Sequence, residues 1–327
     1  MGHPFGVGWR SLSRQIELDK QIINKYPYKL YRLDINQSIE SKNIVPVIFI
    51  HGNRGRYTQA RFLSSSVSNR YGITTIYRVF TIDFNEEPCA YSGELLLRQL
   101  NFLQAIVGIF HKSIDVEAVH PLTLVGHSYG GILAKIVMSD TVNGVHAINR
   151  VIALSSPLIS PAIDFDNYMS KVYRHYPCNS EINGSRLLNR SAHSKKLLIS
   201  IHGTYRDFQI PQYLSNCHNL KRLYPQQDES INMIFILTTT IPKLSKALDH
   251  TQILRSDYVL IPILNKLHTF NQLNDEKELQ EIMRMFAPEY KLVHYPSLSQ
   301  DSMITEHLNS TIYYQMGDEQ IKCGLYL

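Results

Sequence analysis

The sequence has few cysteines, and no two of them stand at metal-binding spacing. They are Cys89, Cys178, Cys217 and Cys323, and no Cys-x-x-Cys motif occurs in the 327 residues. A zinc ribbon or a thioredoxin-like redox site is therefore not expected, and neither a metal nor a cofactor is predicted. The wide spacing permits disulfide bonds but does not require them.

Long hydrophobic runs are also missing. The longest, 44–50 and 231–237, have the length of strands, whereas a membrane-spanning helix needs roughly 18 apolar residues or more. Residues 1–20 lack the continuous apolar core of a signal peptide. On these patterns alone, the sequence predicts a soluble chain.

The chain carries only a small excess of positive charge. There are 33 Lys and Arg against 28 Asp and Glu, a formal net charge of +5, and this excess is too small to indicate nucleic-acid binding. No nucleic-acid partner is therefore predicted. With 44% hydrophobic residues, the composition is typical of a globular chain rather than a disordered one.

Strand-like and helix-like segments alternate along most of the chain. Apolar runs of strand length occur at 45–50, 77–84, 122–127, 151–157, 196–203 and 231–240. Helical patterns are found at 57–72, 93–114, 130–140, 256–273 and 274–287. Such alternation predicts βαβ units, and hence an α/β fold with a mostly parallel central sheet and helices on both faces.

We interpret this alternation as one catalytic domain over residues 45–287. Within it, residues 158–195 are rich in Tyr, Asn and Ser with little periodicity, and we interpret them as an insertion of the kind that forms a lid. Residues 1–44 are an N-terminal extension. Residues 288–327 carry weak strand signals and are a C-terminal tail or the start of a further unit.

The strongest chemical motif is Gly-His-Ser-Tyr-Gly at 126–130. A strand is predicted before it and a helix after it, which is the context of a nucleophile elbow. The glycines leave room for a sharp turn that exposes the Ser128 hydroxyl, and the following helix points N–H groups at a reacting carbonyl. The alternative is an inert serine in a glycine-rich bend.

A nucleophilic serine needs a base, and the base needs an acid to orient it. In elbow-containing folds the chain order is Ser, then Asp or Glu, then His. Asp207 follows the predicted strand 196–203 and His250 follows 231–240, so both stand where that order places them. Other candidates are also present. Asp249 is a weaker candidate for the acid, and three further histidines are candidates for the base: His193, His202 and His218.

The segment 51–57, His-Gly-Asn-Arg-Gly-Arg-Tyr, follows the first predicted strand of the domain. In elbow-containing hydrolases this loop supplies the second N–H of the oxyanion hole. We expect the backbone N–H groups at or near Asn53 and at Tyr129 to form the oxyanion hole, and His51 to shape the loop rather than to catalyse.

A Phe-Asn-Glu-Glu segment at 84–87 follows another predicted strand. The sequence supports a structural role and a functional role for this segment equally.

Several segments together resemble the GPI inositol-deacylase family. The resemblance covers roughly residues 25–290 and is carried by 46–63, 80–102, 124–135, 155–161, 202–210 and 238–253. The Phe-Asn-Glu-Glu segment and the Pro-Lys…Asp-His segment at 242–250 are more specific than Gly-x-Ser-x-Gly. Members of that family are α/β-hydrolases, so the resemblance implies an α/β-hydrolase fold for this chain. They tend to have proline at the position of His51.

The resemblance implies a function, a location and a site. It implies a serine esterase of the endoplasmic reticulum that removes the fatty acyl chain from the inositol of GPI anchors. It also implies GPI lipid or GPI-anchored proteins as substrates, association with the membrane, and a link to protein transport. Residue by residue, Ser128 matches the family nucleophile, Asp207 the acid and His250 the base. Two other functions stay open: a lipase or thioesterase for another acyl ester, and a catalytically silent binding protein.

Overall fold

The computed structural model describes residues 13–33, 44–63, 76–114, 122–139, 148–176, 196–217, 231–260, 262, 311–316 and 319–324. Within them, one eight-stranded sheet forms the centre of the fold. Its strands are β1 (Ser13–Gln15), β2 (Lys29–Leu33), β3 (Ile44–Ile50), β4 (Ile76–Asp83), β5 (Thr123–His127), β6 (Arg150–Leu154), β7 (Lys196–His202) and β8 (Ile231–Leu237).

The strand order across the sheet is β1-β2-β4-β3-β5-β6-β7-β8. All pairs from β4 to β8 are parallel, whereas β1 pairs with β2, and β2 with β4, in antiparallel fashion. The predicted α/β class with a mostly parallel sheet is confirmed. Because β3, β5, β6, β7 and β8 run in the same direction, their carboxyl ends meet at one edge, where parallel sheets carry their ligand sites.

Both faces of this sheet are buried, which explains the continuous apolar runs of its strands. Every residue of β5, β6 and β7 is buried. Successive side chains point to opposite faces, so Ile48 and Leu124 belong to one apolar cluster and Val47 and Val125 to the other. The apolar runs therefore supply two cores, one on each side of the sheet.

The helices are α1 (Lys20–Lys25), α2 (Gly93–Ile114), α3 (Tyr129–Ser139), α4 (Asn167–His175) and α5 (Gln212–Ser215). α2 has the predicted bounds, and α3 lies within one residue of its prediction. β6 ends at Leu154 rather than at the predicted 157. Ser155 adopts a φ of 46°, and a backbone in this left-handed region cannot continue a strand.

Two parts of the fold were not predicted from the sequence. The N-terminal extension contributes α1, β1 and β2, and its two strands extend the central sheet. The segment 158–195 contains α4, whose first turn is capped by Asp166 through a 2.6 Å hydrogen bond from the Met169 N–H. α4 is amphipathic, with Met169, Val172 and Tyr173 on its buried side, but it is short and polar overall, so it did not stand out within a segment rich in Tyr, Asn and Ser.

Several predicted elements lie partly or wholly outside the described residues. Of the predicted helix 57–72, the structure describes the first turns, which begin with a 3-10 turn at Tyr57–Ala60. Most of 256–273 and all of 274–287 lie outside. Near the C-terminus, β9 (Thr311–Met316) and β10 (Glu319–Gly324) pair antiparallel, where the sequence carries weak strand signals.

Candidate active site

Ser128 occupies a one-residue turn between β5 and α3. β5 ends at His127 and α3 begins at Tyr129, while Ser128 has a φ of 54°, which residues other than glycine rarely adopt. The Ser128 N–H donates a hydrogen bond to the Leu154 carbonyl at 2.9 Å. A serine held in a strained strand-to-helix turn is the geometry of a nucleophile elbow.

Glycines flank Ser128 because neighbouring backbone approaches too closely for side chains. A Cβ atom on Gly126 would lie 2.4 Å from the Gly130 carbonyl oxygen, and one on Gly130 would lie 2.1 Å from the Ile50 carbonyl oxygen. Both distances are far below van der Waals contact. The two glycines of the Gly-x-Ser-x-Gly pattern are therefore required by the tight packing of this turn, both on itself and against the end of β3.

Asp207 and His250 form a buried hydrogen-bonded pair. Asp207 follows β7 and His250 follows β8, and the His250 Nδ1 lies 3.0 and 3.1 Å from the two carboxylate oxygens of Asp207. Burial raises the pKa of Asp207, but hydrogen bonds from His250 and from the Ile210 N–H outweigh burial, so the pKa is lowered. Asp207 is therefore a carboxylate at neutral pH.

This pairing decides the tautomer of neutral His250. A carboxylate can only accept, so the His250 Nδ1 carries the hydrogen and donates it. The Nε2 atom then keeps its lone pair and can accept a proton. A second contact joins the two loops, because the Leu248 N–H donates to the Gly203 carbonyl at 2.8 Å.

His202, a rival candidate in the sequence, has a different environment. It is the last residue of β7 and fully buried. Its Nδ1 accepts from the Thr204 N–H at 2.9 Å, and its Nε2 donates to the Ile210 carbonyl at 2.8 Å. With both ring nitrogens used by backbone, His202 holds the loop that carries Asp207. The other rival histidines, His193 and His218, lie outside the described residues.

The loop after β3 runs directly against Ser128. A Cβ atom on Gly52 would lie 3.1 Å from the Ser128 Oγ. Among the described residues, the N–H groups of Asn53 and Tyr129 donate no hydrogen bond. Both are therefore available to a ligand beside Ser128.

His51 shapes this loop, in line with the expectation from the sequence. Its Nε2 accepts the Phe84 N–H at 3.1 Å, so its Nδ1 is the protonated nitrogen and donates to the Gly52 carbonyl at 2.9 Å. The carbonyl and the next N–H point to opposite sides of a trans peptide. Fixing the Gly52 carbonyl therefore also fixes the direction of the Asn53 N–H.

The Phe-Asn-Glu-Glu segment is a structural brace. The Glu87 carboxylate accepts from the Tyr28 hydroxyl at 2.6 Å, from Arg98 at 2.6 Å and from Gln99 at 3.2 Å. Its backbone carbonyl accepts the Arg54 N–H at 3.1 Å. Glu87 thus ties the residue before β2 and helix α2 to the loop that contains Asn53.

We expect replacement of Glu87 by alanine to destabilise the protein far more than replacement of its neighbour. Glu87→Ala leaves three partly buried donors without their acceptor and should lower the free energy of unfolding by about 3 kcal/mol. Glu86 pairs with Arg56 on the surface, so Glu86→Ala should change it by about 0.5 kcal/mol or less. Urea denaturation of both variants checks this, and equal losses would contradict the brace.

Sequence reasoning did not single out His127, the residue before the elbow serine. Its Nε2 lies 2.7 Å from the His250 carbonyl oxygen, and the two imidazole centroids are 4.6 Å apart. Burial lowers the pKa of His127 to about 3, so this ring is neutral. Because the contact spans 123 positions of sequence, no local signal could have revealed it.

The structure brings Asp207 and His250 together directly, and brings Ser128 to them through its neighbour His127. No hydrogen bond joins the Ser128 Oγ to the His250 ring among the described residues. Such bonds are often long in unliganded sites and shorten when a substrate binds. The arrangement can support nucleophilic attack by a hydroxyl with general-base assistance.

The mostly parallel sheet with Ser128 in a tight turn after β5, Asp207 after β7 and His250 after β8 has the arrangement of an α/β-hydrolase fold. Residues 42–268 match the family model described as the PGAP1-like alpha/beta domain. This match covers more than half of the chain, and the chain therefore belongs to that family.

Two curated relatives illustrate the similarity. The chain is 28% identical to the GPI inositol-deacylase of Aspergillus oryzae in an alignment of 297 positions that covers 82% of this chain and 26% of the relative. It is 25% identical to the GPI inositol-deacylase of Xenopus laevis in an alignment of 299 positions that covers 86% of this chain and 30% of the relative. The chain thus spans less than a third of the length of either relative.

The structure is also similar to solved structures. TT1662 from Thermus thermophilus aligns with a TM-score of 0.49 and 12% identity, over 79% of this chain and 97% of that one. The fold and the named relatives together support the interpretation of this protein as a hydrolase.

Among the described residues, no helix combines the length and the apolar character needed to cross a bilayer.

Proposed function

We propose that the protein hydrolyses the fatty acyl ester on the inositol of GPI anchors. The observation that carries this proposal is the buried Asp207–His250 pair beside the strained Ser128 turn, in a chain of the PGAP1-like family. Relatives of this chain bear the name GPI inositol-deacylase, which supplies the substrate class.

In the acylation half-reaction, the Ser128 Oγ attacks the acyl carbonyl carbon while the His250 Nε2 takes the hydroxyl proton. The carbonyl electron pair moves to oxygen, and the N–H groups of Asn53 and Tyr129 stabilise the resulting oxyanion. Asp207 holds the His250 ring in the required tautomer and stabilises the imidazolium. As the tetrahedral intermediate collapses, the C–O bond to inositol breaks and His250 donates its proton to the departing inositol oxygen.

Deacylation repeats these steps with water as the nucleophile. His250 takes a proton from water, the hydroxyl adds to the acyl carbonyl of the Ser128 ester, and the same N–H groups bind the oxyanion. The bond to the Ser128 Oγ then breaks, and His250 returns the proton to it. The products are a free fatty acid and the unmodified enzyme.

Exposed aromatic side chains near the site fit a substrate with an apolar part. After β7, next to Asp207, Tyr205 is 76%, Phe208 90% and Tyr213 68% exposed. Across the same edge, Tyr91 and Phe165 are exposed and lie with ring centroids 5.4 Å apart. Exposed apolar side chains clustered around a site are typical of surfaces that bind apolar ligands.

The endoplasmic reticulum is the location that fits the proposed substrate. Cys217 is disulfide-bonded, and disulfides persist in oxidising compartments such as the lumen of the endoplasmic reticulum. A lumenal site at the membrane would meet GPI lipid and GPI-anchored proteins, in line with a role in their transport.

Matched lipids test the proposed substrate. The purified chain, in detergent micelles, should release fatty acid from GPI that carries an inositol acyl chain and leave GPI without that chain unchanged. Mass spectrometry of both lipids measures this directly. Release from other acyl positions at an equal rate would contradict inositol specificity and favour the lipase or thioesterase alternative.

A fluorophosphonate probe separates the remaining alternatives, because it reacts with activated serines whatever their natural substrate. Labelling at Ser128 without cleavage of any GPI would indicate a hydrolase of another acyl ester. Folded protein without labelling would favour a catalytically silent binding protein.

A further inference from the structure

We propose that His127 is a positioning residue that holds the base, His250, against the nucleophile elbow through a hydrogen bond from its Nε2 to the His250 carbonyl. The inference deepens the function proposed above and rests on it. It concerns the reactivity of Ser128, whichever acyl ester is the substrate.

The direction of this hydrogen bond follows from the atoms involved. The His250 carbonyl oxygen can only accept, so the His127 Nε2, 2.7 Å away, must carry the hydrogen. The His127 side chain is buried, with a 4% exposed fraction, so water does not compete for the bond. Since His127 is the last residue of β5, the donor stands on a rigid strand.

The backbone around His250 has little regular structure of its own to hold it. His250 lies between 3-10 turns at Thr238–Thr240 and Gln252–Arg255. The side chain of its neighbour Asp249 is engaged in a local turn with the N–H groups of Thr251 and Gln252. That turn does not reach the elbow, whereas the bond from His127 does.

Two hydrogen bonds therefore hold His250 itself, in addition to the Leu248–Gly203 bond that joins its loop to the loop of Asp207. Asp207 holds the Nδ1 side of the ring, and His127 holds the backbone carbonyl of the same residue. With both held, the remaining ring nitrogen, Nε2, is confined to one region beside the strand that presents Ser128. Misplacement of a reacting group by about 1 Å can lower a rate about 100-fold.

The neutral state of His127 suits this role. Burial lowers its pKa first, and the adjacent His250 lowers it further. The hydrogen bond to the His250 carbonyl and the Asp207 carboxylate raise the pKa of His127, and His51 lowers it, but burial outweighs the two raising effects. During the reaction His250 becomes an imidazolium, and a neutral ring 4.6 Å away adds no second positive charge.

A matched pair of variants isolates the hydrogen bond from the volume of the side chain. Glutamine and methionine have the same length, but only the glutamine amide can replace the Nε2 donor. We expect His127→Met to lower the rate of fluorophosphonate labelling of Ser128 about 10- to 100-fold. His127→Gln should stay within about 3-fold of the unmodified protein, given the retained donor. On an acyl ester substrate, the loss in His127→Met should fall on kcat rather than on KM.

Each outcome of the comparison is decisive. Equal loss in both variants would assign the effect to packing, and full labelling of His127→Met would show that the donor is not needed; either result overturns the positioning role. Absence of labelling in the unmodified protein would overturn both this role and the proposed hydrolase function. Labelling without GPI cleavage would leave the positioning role standing and reject only the GPI substrate.

A measurement on the unmodified protein does not depend on how the variants fold. Nitrogen-15 NMR of labelled histidine rings distinguishes a protonated Nε2 from a protonated Nδ1. The Nε2–H tautomer is expected for His127, with no change to an imidazolium between pH 5 and 8. An Nδ1–H tautomer would remove the donor and overturn the inference.

Discussion

Replacing Ser128 by alanine is expected to lower kcat for ester hydrolysis on the order of 10⁶-fold, the loss seen when a serine nucleophile is removed. The acyl group would then have no oxygen to which it can be transferred, and the Asp207–His250 pair would have no hydroxyl to activate. Steady-state hydrolysis of an acyl ester, together with loss of fluorophosphonate labelling, measures the effect. A residual activity above about 1% would indicate a different nucleophile.

The protein should keep its fold in this variant. The Ser128 Oγ makes no hydrogen bond among the described residues, so its removal leaves no buried partner unsatisfied. Ser139→Ala is the matched control, because Ser139 is another buried serine on the helix that follows the elbow, and its hydroxyl donates to the Lys135 carbonyl of the same helix. Its hydrolysis rate should stay within about 2-fold of the unmodified protein.

Replacing Asp207 by asparagine is expected to lower kcat about 10⁴-fold, with the fold intact. The asparagine amide would present a donor or a neutral oxygen where the carboxylate now accepts from the His250 Nδ1. Neutral His250 would then favour the opposite tautomer, with the hydrogen on Nε2, and could not take the Ser128 proton. The kinetics of acyl ester hydrolysis give the size of this loss.

Asp249→Asn is the matched control for that variant, since Asp249 precedes His250 and was the rival acid in the sequence. Its Oδ1 accepts from the N–H groups of Thr251 and Gln252, and asparagine keeps such an oxygen. Hydrolysis by Asp249→Asn should stay within about 3-fold of the unmodified protein. A larger loss for Asp249→Asn than for Asp207→Asn would reverse the assignment of the acid.

Much of the fold could be predicted because its signals are local. The apolar runs of β3, β5 and β7 are continuous, since both faces of a parallel sheet are buried, and α2 has a full-length helical periodicity. The strands β1 and β2 and the helix α4 were missed for a physical reason. β1 and β2 extend one end of the sheet with partly exposed residues, so their apolar patterns are weak. α4 is amphipathic, but it has only nine residues and is polar overall, so its few apolar positions did not stand out.

The candidate site also has parts that local sequence signals predict and parts that they do not. Ser128 stands inside a motif whose glycines are required by contacts within a few residues and with the end of β3, and Asp207 and His250 follow in the chain order that the fold imposes. The direction of the His250 hydrogen bond, the role of Glu87 as a brace and the contact of His127 with His250 could not be predicted. Each depends on atoms that lie far apart in the chain and meet only when the sheet is assembled.

The sequence by itself determined the class of the protein, the position of its elbow serine and the order of the three candidate catalytic residues. The apolar periodicity and the glycine spacing are local patterns in the sequence. The alternation of strands and helices indicates parallel strands, whose common direction fixes the order of the site residues. Only the tertiary structure decided which acid meets which histidine, which nitrogen of His250 faces away from Asp207, and that both ring nitrogens of His202 bond to the backbone of the loop that carries Asp207. Those choices depend on hydrogen bonds shorter than about 3.2 Å, and the close approach that forms them exists only once the carboxyl ends of β3, β5, β7 and β8 lie side by side.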